Sequence, residues 1–128
     1  MNAPGWLNSV LRDFGEAVGV TDFGFNAQDA ASILFENGVS LRFEYAFSSL
    51  AIMVQVPMTG DFHALKLLLS YAHFERRPQF RLRTSYLPKA SAGILVARLP
   101  EREVTLPAIN TVFTELWRLA EDLRRRAS

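Results

Sequence analysis

The sequence predicts one α+β domain in which an antiparallel sheet packs against helices. Three observations support this class: three segments have helical periodicity, five have strand character, and the strands do not alternate singly with crossover helices. Strands joined by short turns pair antiparallel, whereas a parallel pair requires a long crossover. The predicted order along the chain is therefore αβββαββα, and residues 1–128 form a single domain.

The first helix is predicted from apolar residues that recur every three or four positions between Leu7 and Val18. Pro4 suits its start. Gly19 suits its end, because glycine readily adopts the left-handed conformation that follows many helices. Residues 21–29 mix Gly, Asn and Asp with two phenylalanines and are predicted to form a loop.

Three strands are predicted next, over residues 31–36, 39–46 and 50–58. The dipeptide Asn37-Gly38 separates the first two, and it is a strong hairpin signal because both residues tolerate positive φ. The second strand alternates apolar and polar residues, which predicts one buried face. The third strand is apolar on nearly both faces, so we expect its outer face to be covered.

A second helix follows the turn at 59–61 and is apolar around most of its circumference up to Phe74. Such a helix is buried on two sides, and in so small a domain we expect the second side to contact another subunit. Two further strands over 79–87 and 92–99 and a long helix over 106–126 complete the domain.

The composition indicates a globular protein without thiol chemistry. Of the 128 residues, 49% are hydrophobic, 21% are charged and none is cysteine, so disulfides and cysteine catalysis are excluded. The N-terminal sequence lacks the basic and apolar regions of a signal peptide, and no apolar run approaches the ~18 residues of a membrane span. We therefore expect a cytoplasmic protein that does not insert into membranes.

The formal net charge of +1 is unevenly distributed along the chain. Residues 1–60 contain two basic and six acidic residues, whereas residues 61–128 contain twelve basic and seven acidic residues. A total near zero argues against strong nucleic-acid binding, which requires a concentrated basic surface. The two halves either face different partners or form ordinary solvated surfaces.

No pattern in the sequence predicts catalysis, a cofactor or a metal site. The only histidines, His63 and His73, lie ten positions apart on the second helix and point in different directions. Glu36 and Glu44 could act as an acid–base pair, but both fit outward strand positions. Glycine-rich phosphate loops and a nucleophile elbow are absent. We therefore predict that the protein is not an enzyme.

Seven stretches follow one another in the predicted order: WLNSVLRDFGEAVGV, SILFENGVSLRFEY, LAIMVQVPMTGD, ALKLLLSYAHF, FRLRTSYLP, AGILVARLPE and LPAINTVFTELWRLAEDLR. In this order they resemble the class I chaperones of bacterial type III secretion, from about Leu7 to Leu123. Two features depart from that family. The isoelectric point is near 8.2, whereas such chaperones are commonly acidic, and Arg76-Arg77-Pro78 replaces a longer polar connection after the central helix.

The resemblance implies a cytosolic homodimer that binds the N-terminal region of a secreted effector and keeps it soluble and export-competent without nucleotide. Apolar pockets and strand addition at a sheet edge would hold the effector segment in an extended form. The alternative is a dimeric adaptor or regulatory module of similar fold that is not involved in export. A third possibility is a small enzyme or ligand-binding domain with a pocket between sheet and helix.

Two sets of residues are predicted to make these contacts. On the second helix, Leu65, Leu68 and Leu69 are predicted to face the home sheet, and the predicted dimer contacts are Leu67, Tyr71 and Phe74. Effector contacts are predicted on two apolar patches, one where the first helix meets the later strands and one on the outer face of the three-stranded region. The predicted effector-binding residues are Leu11, Phe14, Met53, Phe80, Leu82 and Leu95, and core packing is the alternative for each of them.

Overall fold

The computed structural model describes residues 2–74 and 80–127, except for the side chains of residues 73 and 74. It confirms the α+β class and the order αβββαββα. The elements are α1 (Gly5–Ala17), β1 (Ala30–Leu34), β2 (Ser40–Ala46), β3 (Ser49–Pro57), α2 (Phe62–Phe74), β4 (Leu82–Leu87), β5 (Ala92–Pro100) and α3 (Leu106–Arg126). The connection Arg76-Arg77-Pro78 after the second helix lies outside the described residues.

The five strands form one antiparallel sheet in the order β1-β2-β3-β5-β4. The first three strands form a meander, and β5 pairs with β3 along its whole length, from Ser49↔Pro100 to Pro57↔Ala92. Strand β4 then pairs with the outer side of β5. The free edges of the sheet are therefore β1 and β4, at opposite ends.

The predicted hairpin at Asn37-Gly38 is confirmed. Gly38 has a φ of +87°, and the side-chain oxygen of Asn37 accepts a hydrogen bond from the Val39 amide at 3.0 Å. The Asn37 side-chain amide also donates to Glu121 on α3 at 3.1 Å. This turn is thus fixed both by its own backbone conformation and by the helical layer.

All three helices pack on the same face of the sheet. Helix α3 contacts the central strands β3 and β5 and is flanked by α1 on one side and by α2 on the other, where α2 also contacts β4. The Phe14 ring of α1 meets the rings of Phe43 and Phe113, with centroids 5.3 Å apart in each case. The result is a two-layer domain whose core lies between the sheet and the helices.

The long helix α3 begins and ends as the sequence predicts. The Thr105 hydroxyl accepts a hydrogen bond from the Ala108 amide at 3.1 Å, and Pro107 occupies the first turn. The last turn contains Arg124, Arg125 and Arg126, whose charges are favourable at the C-terminal end of a helix dipole.

Candidate protein-binding surfaces

The outer side of α2 is apolar, but its exposed residues differ from those predicted. Leu68, Leu67 and Tyr71 are buried against the chain itself, and Leu69 is 61% exposed. The prediction that Leu69 faces the home sheet is therefore wrong. Leu67 and Tyr71 cannot offer their side chains to a second subunit in this conformation, and the Phe74 side chain lies outside the described part of the chain.

Tyr71 is held in the core by a hydrogen bond to α3. Its hydroxyl donates to Asp122, and Arg125 and Arg126 donate to the same carboxylate at 2.9 and 3.1 Å. Burial, followed by the hydrogen bond to Asp122, raises the pKa of Tyr71. The hydrogen bond from Tyr71 and the charge of Arg126 lower the pKa of Asp122. The side of α2 that faces the core is thus fixed by a polar contact as well as by burial.

A groove of about 710 Å³ lies between α2 and the free edge strand β4. It contains Leu69 and Leu82 as its larger apolar residues, with Lys66 and Arg83 as its charged residues. Leu82, one of the predicted effector contacts, therefore lies at this groove. Because β4 has no neighbour on its outer side among residues 2–74 and 80–127, the groove and the strand edge form one continuous surface, which we call the α2–β4 groove.

The face of the sheet opposite the helices is open, and we call it the open face. Register places Arg42, Met53, Val96 and Arg83 side by side across four strands. Met53, Val96 and the neighbouring Ile94 are each half-buried. A shallow depression of about 250 Å³ on this face extends from Leu34, Ser40 and Arg42 to Met53, Gln55 and Ile94.

The first predicted effector patch is not formed as one surface. Leu11, Phe14 and Leu95 have no exposed surface, so they belong to the core. Helix α1 lies toward β2, as the Phe14–Phe43 contact shows, whereas Phe80 and Leu82 lie at the opposite edge of the sheet. Strand order separates the two halves of this patch, because β5 inserts between β3 and β4.

Met53, the predicted contact of the second patch, lies on the open face. On the same face, Arg98 lies diagonally to Met53 and Arg83 lies in the same row two strands away, and neither is among the predicted effector contacts. The alternation of Ile94, Val96 and Arg98 within β5 indicates a shared face. Their position beside Met53 depends on the register between β3 and β5, which no local pattern reveals.

Those residues weighed as catalytic candidates whose side chains the structure describes do not form a cluster. Glu44 lies opposite Ala30 in the sheet and pairs with Arg42 at 2.5 Å, whereas Glu36 lies beyond the other end of β1. His63 is exposed, and the side chain of His73 is not described. Among the described residues, no group of His, Asp or Glu could hold a metal ion. Nor is any described helix long and apolar enough to span a bilayer.

The fold and these surfaces define a class of protein: a two-layer domain with exposed apolar surface suited to binding another protein. Comparison with family models then gives a match to the type III secretory system chaperone SycN over residues 6–124. The chain therefore belongs to this family of type III secretion chaperones. The resemblance seen in the sequence is confirmed, and the alternative of an adaptor unrelated to export is not favoured. Chaperones are a non-catalytic class.

Solved structures support the same fold. The ExsC–ExsE complex contains a chain with a TM-score of 0.81 and 18% identity, and the match covers 99% of this chain and 97% of that chain. The HopA1–SchA chaperone–effector complex gives 0.70 and 14%, with 94% of both chains covered. The Yersinia pestis chaperone SycH, in complex with a YscM2 fragment, gives 0.68 and 16%, with 91% and 98% covered. A comparison with curated protein sequences finds no match.

Proposed function

We propose that this chaperone binds the N-terminal segment of a secreted effector in the bacterial cytoplasm and keeps that segment soluble and export-competent. The observation that carries the proposal is the open face of a five-stranded sheet with Met53, Ile94 and Val96 at its centre. Contiguous apolar surface on a small domain marks a site for a protein partner. The similar chains crystallised as chaperone–effector complexes support the same kind of partner.

The effector would also use a free sheet edge. In the part of the chain that the structure describes, strand β1 has no outer neighbour, and Leu34 at its end is 76% exposed. An extended segment added there would gain main-chain hydrogen bonds from the edge and would place alternate side chains toward the open face. Met53 remains our proposed contact from the predicted set.

The active form would be a homodimer built on the α2–β4 groove. Leu69 and Leu82 form the apolar part of this groove, and β4 provides an unpaired edge. A second copy seated here would cover Leu69, which is otherwise exposed. This places the dimer contact on the side of α2 adjacent to Leu67 and Tyr71 rather than on those two buried residues.

The chaperone would act without catalysis. Alanine at Glu36 or His63, both exposed, should leave effector binding unchanged and alter the free energy of unfolding by less than about 0.5 kcal/mol. Binding by isothermal titration and unfolding in urea measure the two quantities. Turnover of any substrate that disappears in one of these variants would contradict the proposal.

The test of the proposed function is co-expression with a candidate effector, chosen as the product of a neighbouring gene with an apolar, disordered N-terminal segment. We expect the chaperone to co-purify with the full effector and with its N-terminal segment alone, but not with the effector lacking that segment. The effector expressed alone should aggregate. Co-purification that persists after deletion of the segment would contradict the proposed site on the effector.

A further inference from the structure

The open face has an apolar centre between arginines. Across it, one row places Arg42 on β2 opposite Met53 on β3, then Val96 on β5 and Arg83 on β4. In the next row along β5, Arg98 lies opposite Ala51. Arg42 and Arg83 therefore lie on the two strands that flank the central strands β3 and β5, and Arg98 lies on β5 itself.

These arginines are available to a partner. Within residues 2–74 and 80–127, neither Arg83 nor Arg98 has an ion-pair partner, and both are exposed. Arg42 pairs with Glu44, but about half of each side chain is exposed, and a pair of this kind is weak and readily exchanged. Among the strand residues that the structure describes, Glu44 is the one acidic residue that the register places on this face, against Arg42, Arg83 and Arg98, so the described face is basic.

The width of the apolar centre fits a helix. Neighbouring strands lie about 4.8 Å apart, so the backbones at Arg42 and Arg83 are separated by three spacings, about 14 Å. A helix with its side chains is about 10–12 Å across. A helix whose apolar stripe rests on Met53 and Val96 therefore extends its flanking residues toward both arginines.

An extended segment fits this face less well. A single strand is narrower than the distance between the two arginines, and its main-chain groups find partners at the edges of a sheet, not on its face. An amphipathic helix has its backbone hydrogen bonds satisfied internally and needs only an apolar contact and matching charges.

We propose that the open face binds an amphipathic helix of the effector, with acidic residues flanking an apolar stripe. The stripe packs on Met53, Ile94 and Val96, and the flanking carboxylates pair with Arg83 and Arg98 and compete with Glu44 for Arg42. This inference rests on the proposed function and deepens it, because it specifies the chemistry of the segment that the chaperone selects. Carboxylate–arginine pairs add specificity because a basic helix would be repelled.

The direct probe is a synthetic helical peptide with a leucine stripe flanked by glutamates, titrated into the whole chaperone and compared with the same peptide carrying lysines instead. We expect the acidic peptide to bind at least tenfold more tightly, with an affinity that falls as salt is raised. Equal affinity for the two peptides, or failure to bind the acidic one, would overturn the inference.

The second experiment reverses the charge of the face in the chaperone itself. Arg83→Glu with Arg98→Glu should weaken binding of the acidic peptide and of the effector at least tenfold. The matched control, Arg12→Glu with Arg124→Glu, makes the same change in net charge on helices of the opposite layer and should leave both affinities within about twofold. Should the reversed variant fail to fold, Arg83→Gln with Arg98→Gln replaces it, with the same direction expected.

The outcomes separate this inference from the proposed function. If the wild-type chaperone binds the effector and the Arg83 and Arg98 reversal leaves that affinity unchanged, the proposed function stands and the acidic-helix inference is overturned. If the chaperone prefers the acidic peptide but does not bind an effector, the proposed function is contradicted and the preference of the open face for an acidic helix stands. A reversal that changes the oligomeric state but leaves the affinities for the effector and the acidic peptide intact overturns the inference, because Arg83 also lies at the α2–β4 groove proposed for the dimer.

Discussion

The two faces of the sheet are made from the same strands but have different chemistry. On the covered face, Phe43, Ile52 and Leu95 are fully buried beneath the helices. On the open face, Arg42, Met53 and Val96 alternate with them in the same strands and are at least partly exposed. Stability therefore depends mainly on the covered face, and the open face is the one that we propose binds the effector.

The helical layer contains a similar contrast within α2. Tyr71 is buried and tied to Asp122, whereas Leu69, two positions earlier, is largely exposed. Residues two apart on a helix point in different directions, so one helix contributes both to the core and to a free surface.

The largest effect is expected from neighbouring residues of β5 that point to opposite faces. Leu95→Asp places a carboxylate in the core and should destabilise the domain by several kcal/mol, enough to prevent folding. Val96→Asp places the same group on the open face and should change the free energy of unfolding by about 1 kcal/mol or less. Thermal unfolding followed by circular dichroism measures both.

Effector binding should be lost in Val96→Asp even though this variant folds. Val96→Asp puts a carboxylate in the apolar centre of the open face and should abolish co-purification of the effector, although the variant remains folded. A Val96→Asp variant that unfolds as Leu95→Asp does would mean that the open face is part of the core.

The second prediction concerns the dimer. Leu69→Glu should shift the dimer–monomer equilibrium at least tenfold toward monomer, because the interface would have to bury a carboxylate in the α2–β4 groove. Leu34→Glu, at another exposed leucine but on β1, is the matched control and should leave the equilibrium unchanged. Sedimentation at micromolar concentration measures the change.

A buried neighbour of Leu69 provides a further control. Leu67→Glu should unfold the chain rather than produce a folded monomer, because the Leu67 side chain is buried within its own chain. A Leu67→Glu variant that is folded and monomeric would support the dimer contacts predicted from the sequence, which include Leu67 and Tyr71. A wild-type protein that is monomeric at these concentrations would contradict the homodimer itself.

The element order could be predicted because burial of one side imposes a local period: 3.6 residues for α1 and α3, and two residues for β2. The position of β5 between β3 and β4 depends on pairing between distant segments, so it could not be read locally. The prediction that Leu69 on α2 faces the home sheet was wrong, because the local pattern of this helix does not distinguish its inner side from its outer side. A helix that is apolar all round does not reveal which leucine faces the core, and the contact that fixes it comes from Asp122 on α3.

The same reasoning explains the fate of the predicted site residues. Leu11 and Phe14 lie on a clean amphipathic face, and such a face is ordinarily core, as it is here. Met53 lies on the open face as predicted because strand alternation fixes that orientation. Arg98 was missed as part of a site because only sheet register places it diagonally to Met53, and register also places Arg83 in the row of Met53, two strands away.

The third prediction is a smaller effect in the helical layer. Tyr71→Phe removes the hydrogen bond to Asp122 and should destabilise the domain by about 1–2 kcal/mol at pH 7. The folded-state pKa of Asp122 is lowered, so its contribution to stability is present above the unfolded-state pKa of about 4 and is lost as pH falls through the folded-state value. The difference between wild type and Tyr71→Phe should therefore shrink below about pH 4 in urea unfolding. A constant difference would mean that lost packing, not the hydrogen bond, explains the effect.

The smallest effect is expected from the Arg42–Glu44 ion pair on the open face. Both side chains are about half exposed, so water screens the pair, and ordering two long side chains offsets much of the attraction. A double-mutant cycle with Arg42→Ala and Glu44→Ala should give a coupling energy below about 1 kcal/mol in urea unfolding, and it should decrease as salt is added.

The two single variants should nevertheless differ in effector binding. Arg42→Ala removes a positive charge from the face and should weaken binding of an acidic segment. Glu44→Ala releases Arg42 from its present partner and should strengthen it. Equal effects of both substitutions on affinity would mean that charge on the open face does not select the partner, even where the apolar centre binds it.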